Sequence, residues 1–539
     1  MTTSPPRSAL PTHEVTNQPP PRGDTDLWAS DTPLREGIAR EGGQEAPLAA
    51  YGAVLGTKAM REAARDANRV PPELRLFDRS GRRLDEVHFH PAYHQLMQAG
   101  LGAGYAALAW ESAPGGHVTH AAMVYLHSQV EPGTCCPMTM TYAAVPALAA
   151  SESLAAEWRP KLLSRRYDPT ARPLAQKSGA TLGMAMTEKQ GGSDVRANAT
   201  TATRAGDHWR LHGHKWFCSA PMSDGFLTLA QAPGGLSCFL VPRWLDGERN
   251  PIQIMRLKDK LGNKANASSE IEYQGALAYL LGDEGQGVRT IIEMVHHTRL
   301  DTAMAPTGLM RGALAEALHW ARHRRAFQKG LIDQPLMRAV LADLALDVEG
   351  ALALGLRVAR AFDSTTEEDR AFARIGVALA KFLNNKRCPQ VTYEAMEVLG
   401  GMGYVEDTPM PMYYREAPLN GIWEGSGNVI CLDILRTLAK EPLAVETLRA
   451  ELAAARGADA RYDAALRAHH ERWPTLPPEA EARWFAERTA LLLTASILIR
   501  HAPPAVADGF TATRLGEAGR ITGAIGGVDK VGILARLEP

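Results

Sequence analysis

Thr181-Leu182-Gly183-Met184-Ala185-Met186-Thr187-Glu188-Lys189-Gln190-Gly191-Gly192-Ser193-Asp194 is the stretch where the chain changes character. Before it, apolar residues recur at helical spacing. Here an apolar run of strand length, 181–186, ends in a Gly-Gly turn with hydroxyls on both sides. Further segments of this kind follow at 208–217, 225–231, 235–241, 252–257 and 268–273, each bounded by turn residues. Trp209 and Leu211 alternate with His208 and Arg210, and Ile271 and Tyr273 oppose Glu270 and Glu272. This pattern predicts a small, mostly antiparallel β-domain over 179–284.

Outward from it, both flanks read as helical. On the N-terminal side, 23–178, apolar residues fall at i, i+3, i+4 in 48–66, 93–112 and 121–129. On the C-terminal side, a turn-dense loop at 282–287 leads into helical runs at 288–325, 336–361, 370–399 and 426–440, a helix bundle over 285–440. A further helical region, 441–539, holds runs at 444–470 and 481–501 and becomes Gly-rich from 509 to 532. Residues 1–22, with Pro5, Pro6, Pro11, Pro19, Pro20 and Pro21, predict a disordered or extended tail. The fold class is α+β, mainly α.

With 45% hydrophobic and 22% charged residues among 539, the chain reads as an ordinary soluble globular protein. A net charge of -1 provides no global attraction to nucleic acid or acidic membranes, so either partner would need a local patch. The six cysteines are scattered without a C-x-x-C and read as reduced thiols, and 1–21 has neither a signal-peptide nor a transit-peptide pattern. The apolar run 491–499 is about half of a membrane span. The expectation is a cytoplasmic protein with no membrane association. His88, His90 and His94 could in principle bind zinc, but Pro91 breaks the element between them, so no metal is expected.

A candidate for chemistry stands at Ile422-Trp423-Glu424-Gly425-Ser426-Gly427-Asn428. One carboxylate lies between a large aromatic and a Gly-Ser-Gly segment that lets backbone approach a ligand, and a helical run follows. Glu424 is therefore either a general base or a helix N-terminal carboxylate stabilised by the macrodipole. His214-Lys215-Trp216-Phe217-Cys218-Ser219 adds an aromatic surface and a hydroxyl, which alone could be core filling.

Taken together, these segments resemble the acyl-CoA dehydrogenase flavoprotein superfamily. Supporting motifs in the family's order are Leu257 to Ser268 with its Lys-Leu-Gly core, Arg324-Arg325-Ala326-Phe327 with Gln334, Gly400-Gly401-Met402-Gly403-Tyr404, and Tyr414-Arg415-Glu416. From about residue 12 to 438, including the early Asn17-Gln18-Pro19, the chain is similar to the AidB-like, adaptive-response branch linked to DNA alkylation damage. The resemblance implies an FAD protein, a homotetramer built as a dimer of dimers, that takes an acyl-CoA or related small molecule and binds double-stranded DNA. It makes Glu424 the base. Met184, Ala185, Met186, Thr187, Gly192, Ser193, Trp216, Phe217, the backbone around Cys218, Ser219, Gly400, Gly401, Ile422, Trp423, Gly425, Ser426 and Asn428 would contact FAD, and Arg324, Phe327 and Gln334 would reach the FAD diphosphate of a neighbouring subunit.

Three departures stand out: Lys189-Gln190 replaces the family's Pro after Thr-Glu, Gln328 replaces a Gly, and Trp423 is bulkier than the usual residue before the base. The resemblance puts DNA contacts in the C-terminal region, at Arg436, Arg514, Arg520 and Lys530, although 441–539 carries 12 basic and 13 acidic residues. The expected function is an FAD-containing, DNA-binding protein that protects against alkylation, with an acyl-CoA dehydrogenase-type site acting on CH–CH bonds. The alternatives are a metabolic acyl-CoA dehydrogenase without a DNA role and a non-catalytic DNA-shielding flavoprotein.

Overall fold

The computed structural model describes residues 4–111, 113–516, 519 and 521–537. Two long helices, Gly287–His323 and Glu367–Val398, with Pro335–Asp363 between them, form the bundle against which everything else packs. Their apolar stripes are buried almost completely: Leu300, Met304, Leu314, Leu344, Leu354, Ile375 and Leu379 are each 0% exposed. The Glu367–Val398 helix starts on Thr366, whose hydroxyl accepts from the Asp369 N–H, and three acidic residues fill its first turn.

The main sheet of the β-domain contains the six expected strands and one more, Thr201–Ala205, and a two-residue hairpin, Trp244–Leu245 with Glu248–Arg249, lies outside it. Ile252–Leu257, Ser268–Leu281, His208–Ser219, Thr201–Ala205, Gly225–Ala232 and Leu182–Ala185 pair in that order. Gly235–Pro242 pairs with both Gly225–Ala232 and the end of Ser268–Leu281, closing the sheet into a ring. Leu182–Ala185 and Thr201–Ala205 run parallel to Gly225–Ala232, and the other pairings are antiparallel. Alternate residues, among them Trp209, Leu211, Cys218, Phe239, Ile271 and Tyr273, fill the interior as a separate core.

The N-terminal half departs from the all-helical expectation at Glu73–Phe77 and Arg83–His88, which form an antiparallel hairpin. The run at 48–66 breaks at Gly56 into Glu45–Leu55 and Lys58–Arg69, and only glycine fits at the break, since a side chain there would lie 1.8 Å from the Thr25 carbonyl oxygen. The region after 440 also holds more, shorter helices than its periodicity suggests, Pro442–Ala453 and Ala460–Arg472 replacing one long run. Residues 4–22 form no helix; the arm lies on the bundle, with Pro20 O accepting from His319 Nε2 at 2.8 Å and Arg22 pairing with Glu316 at 2.8 Å. His88, His90 and His94 face separate partners: Glu86, the N–H of Ala92 and the Tyr167 hydroxyl.

Candidate active site

Glu424 sits in a turn between the Leu419–Gly421 turn and the Gly427–Lys440 helix. Its φ is +58°, a left-handed conformation that a non-glycine residue adopts at a cost, and Gly425 follows at +101°. Four groups hold the turn there. The buried Thr298 hydroxyl donates to Glu424 Oε2 at 2.9 Å, and Arg299 Nε donates to the Glu424 carbonyl at 3.3 Å. Lys381 Nζ donates to the carbonyls of Asn420, Trp423 and Gly425 at 2.8, 3.0 and 3.0 Å. Trp423 Nε1 donates to Asn420 Oδ1 at 2.7 Å, which fixes the indole beside the carboxylate. Burial raises the Glu424 pKa above the ordinary range, while the Thr298 hydrogen bond and the charges of Lys381 and Arg299 pull it back. A carboxylate so placed is closer to neutral pH than a solvated one and better matched to proton abstraction.

The second group of candidate residues comes from the β-domain. Trp216 N–H donates to the Thr187 carbonyl at 2.8 Å, which joins the Gly-Gly turn to the aromatic strand. Beneath that turn lies an ion pair with no exposed side chain on either side, Lys215 Nζ to Glu188 Oε1 at 2.7 Å. Glu188 also accepts from the N–H groups of Ala199 and Thr200, at 2.7 and 3.2 Å. Burial pushes the Glu188 carboxyl up, but the hydrogen bonds and charge of Lys215 and the two N–H groups overcome it and hold it at about 2. The Lys258 ammonium lies 3.3 Å from the centre of the Trp216 ring, a close cation–π contact. Burial and the charge of Glu424 raise the buried Cys136 thiol, against the opposing charge of Lys260, to about 12.

Residues 17–169 match the adaptive response protein AidB N-terminal domain, 183–276 the acyl-CoA dehydrogenase middle domain, and 285–439 the acyl-CoA dehydrogenase C-terminal domain. The AidB protein of Escherichia coli K12 is 46% identical over 520 residues, 95% of this chain and 96% of that one. The chain belongs to the AidB branch of the acyl-CoA dehydrogenase family. Acyl-CoA dehydrogenase family member 11 of Caenorhabditis elegans is 33% identical over 409 residues, 71% of this chain and 65% of that protein. Among solved structures, C. elegans ACDH-11 in complex with C11-CoA superposes with a TM-score of 0.84 at 26% identity, covering 95% of each chain. The Bd2924 apo-form superposes with a TM-score of 0.80 at 31% identity, covering 91% of this chain and 99% of that one.

FAD is the cofactor of that family, and several of the expected residues are placed so that a ligand could reach them. Met184, Met186 and Thr187 are partly open along the strand whose Ala185 is buried. A side chain at Gly192 would come within 2.5 Å of the Thr187 hydroxyl, so glycine keeps that donor reachable, and Ser193 is exposed beside it. Trp216 and Ser219 are half-buried, Phe217 is exposed, and Ile422, Ser426 and Asn428 are exposed around Glu424. The Cys218 thiol points into the β-domain core, where burial raises it to about 12, so its main chain is the part that remains for a ligand.

The remaining expected residues lie elsewhere on the chain. Arg324 donates from Nη1 to the Asn17 carbonyl, and Gln334 Nε2 braces the adjoining hairpin through the Ala326 carbonyl at 3.1 Å. Phe327 and Gln328 form the tip of that hairpin at φ +50° and +64°, and Phe327 is 94% exposed. Gln328 thus occupies a left-handed position that glycine would adopt without strain. Gly400, at φ +59°, and Gly401 are exposed with open space around them.

Of the residues assigned to DNA, Arg436 is exposed and makes no ion pair among the described residues, and Lys530 is partly exposed. Arg514 is a correction: its guanidinium is buried between Asp343 and Asp347, at 2.7 and 3.0 Å, so its charge is spent inside the molecule. Arg520 lies outside the described residues. Sequence reasoning missed Thr298, Arg299 and Lys381. The available signal was a polar stripe on a buried helix face, Lys381, Asn384 and Asn385, at i, i+3 and i+4 between Val377 and Cys388.

Proposed function

We propose that this chain is an FAD-dependent acyl-CoA oxidoreductase with Glu424 as its base, and that its C-terminal face binds duplex DNA and shields it from alkylation. The observation carrying the first part is the Glu424 carboxylate, its pKa raised by burial, fixed by Thr298 and held in a left-handed turn. FAD, when bound, accepts the hydrogen and electron pair leaving Cβ of an acyl thioester. Glu424 takes the proton from Cα, so a double bond forms between the two carbons. Thr298 keeps the accepting oxygen oriented, and Trp423 covers the carboxylate and limits water and substrate bulk. The C11-CoA bound by the ACDH-11 relative supports an acyl-CoA as the ligand class. Anaerobic loss of visible flavin absorbance on adding short straight and branched acyl-CoAs tests it, and no loss with any of them counts against it.

The DNA reading is favoured by a specific arrangement. Arg449 and Arg456, both exposed, lie close enough to His470 to depress its pKa after burial has done so, and Arg436 is exposed on the neighbouring Gly427–Lys440 helix. Duplex affinity should fall steeply with salt, and Arg436→Ala should reduce the slope of log K against log salt by about 1. Salt-independent or absent duplex binding would remove this reading. Point substitutions are the appropriate test: deleting 441–539 would remove the buried positions Leu492, Leu493 and Ile497 and uncover the Pro335–Asp363 and Glu367–Val398 helices on which the Ala482–His501 helix packs.

The exposed Phe327 hairpin supports a homotetramer in which a neighbouring subunit covers the tip, together with Arg324 and Gln334 as cross-subunit FAD contacts. All six cysteines are free and buried, which supports a reducing, cytoplasmic location. Among the described residues no helix is long and apolar enough to cross a membrane.

A further inference from the structure

Lys381 is 1% exposed on the inner face of the Glu367–Val398 helix and makes no ion pair with a carboxylate among the described residues. A buried ammonium is ordinarily neutralised by an anion. Here its three N–H groups instead match three main-chain carbonyls, those of Asn420, Trp423 and Gly425, which bracket Glu424 on both sides. The turn has two consecutive positive φ angles and so has a local tendency to relax. We propose that Lys381 is a positioning residue for Glu424: its ammonium ties the two arms of the 420–425 turn together and keeps the carboxylate in its left-handed conformation, so protonation of Lys381 gates the base.

The inference rests on the reading of Glu424 as the base, but the clamp itself can be measured without it. Burial pushes the Lys381 pKa down to about 7; Glu424 in the turn draws it back up, while Arg299 from the Gly287–His323 helix and Lys386 on its own helix depress it further. The neutral amine has two N–H groups for three carbonyls, so one arm of the turn is released as the proton leaves. Glu424 must lose its proton to act while Lys381 must keep its own. This gives opposing acid and alkaline limbs.

The test is amide hydrogen exchange of the segment 419–427 in the full-length, FAD-loaded protein across pH, corrected for intrinsic exchange. In the wild type, protection should fall as pH rises through the Lys381 titration. In Lys381→Arg, whose guanidinium keeps its charge, protection should be independent of pH. In Lys381→Met it should be low throughout, and where that variant does not fold, Lys381→Arg decides. Flavin reduction by butyryl-CoA should lose its alkaline limb in Lys381→Arg and slow about 10- to 100-fold in Lys381→Met, the cost of a misplaced base. Wild-type protection that stays flat across pH, or a Lys381→Arg variant that retains the wild-type pH dependence, overturns the clamp. A clamp that behaves as stated while Glu424→Gln still reduces flavin overturns the base assignment instead.

Discussion

Replacing Glu424 with glutamine is expected to slow anaerobic flavin reduction by an acyl-CoA by about 10²- to 10⁴-fold, the range typical of removing a positioned general base. The substitution keeps the side-chain volume and an acceptor for the Thr298 hydroxyl, and the turn remains held by Lys381 and Arg299 through main-chain carbonyls. Bound FAD and acyl-CoA affinity should therefore be retained, which separates a lost base from a collapsed site. Wild-type reduction rates should fall on the acid side as Glu424 is protonated, and that limb should lie above the ordinary carboxylate range because burial raises its pKa. A Glu424→Gln protein that reduces flavin at the wild-type rate would exclude the carboxylate from the chemistry.

The second large effect concerns stability. Lys215→Met leaves the Glu188 carboxylate buried without its cation and removes the donor to the Leu229 carbonyl, 2.8 Å away in the same core. Breaking one side of such a pair costs about 3–5 kcal/mol, whereas replacing both sides together can be nearly neutral. Urea unfolding should show a much earlier β-domain transition in Lys215→Met and substantial recovery in the double variant with Glu188→Leu. Equal destabilisation by the single and double changes would show that the pair does not couple. The same pair sets an acid limit. Glu188 has a folded pKa of about 2 against an ordinary 4.5, so its contribution is complete above about 4.5 and is lost as pH falls toward 2.

Most of this architecture was visible in the chain because long elements carry many periodic positions. The three bundle helices repeat their apolar stripe over 37, 29 and 32 residues, and the strands alternate within tight turns. Shorter elements were lost in their surroundings. Glu73–Phe77 has only Leu74 and Leu76 on one side, embedded in a Glu- and Arg-rich region that reads as helical. The candidate base was legible because Glu424 is a lone carboxylate between Trp423 and Gly425, a local signal. What holds it was not. Thr298 and Lys381 lie 126 and 43 residues from it in sequence, on two different helices, and only packing brings them together. Arg514 misleads for the same reason. It sits in a Gly-rich stretch with few nearby acids, yet Asp343 and Asp347 reach it from about 170 residues upstream.

The distribution of held and free groups also bears on how the proposed dehydrogenase-type site and the proposed DNA-binding surface would share one chain. The helix that begins after the Glu424 turn, Gly427–Lys440, carries Asp433, which pairs with Arg299 and Arg374 at 2.7 Å each, and exposes Arg436. Arg299 in turn contacts the Glu424 carbonyl. Arg483, from the C-terminal region, donates to Asn428 Oδ1 at 2.9 Å, so that region touches the start of the helix after Glu424 directly.

The central claim is that Glu424 and FAD together form a working acyl-CoA site, and its most direct measurement is anaerobic mixing of FAD-loaded protein with a panel of short straight and branched acyl-CoAs. Loss of the visible flavin absorbance with at least one of them, accompanied by formation of the corresponding 2-enoyl-CoA and abolished in Glu424→Gln, is the predicted result. A flavin that binds stoichiometrically yet stays oxidised with every member of the panel would contradict it.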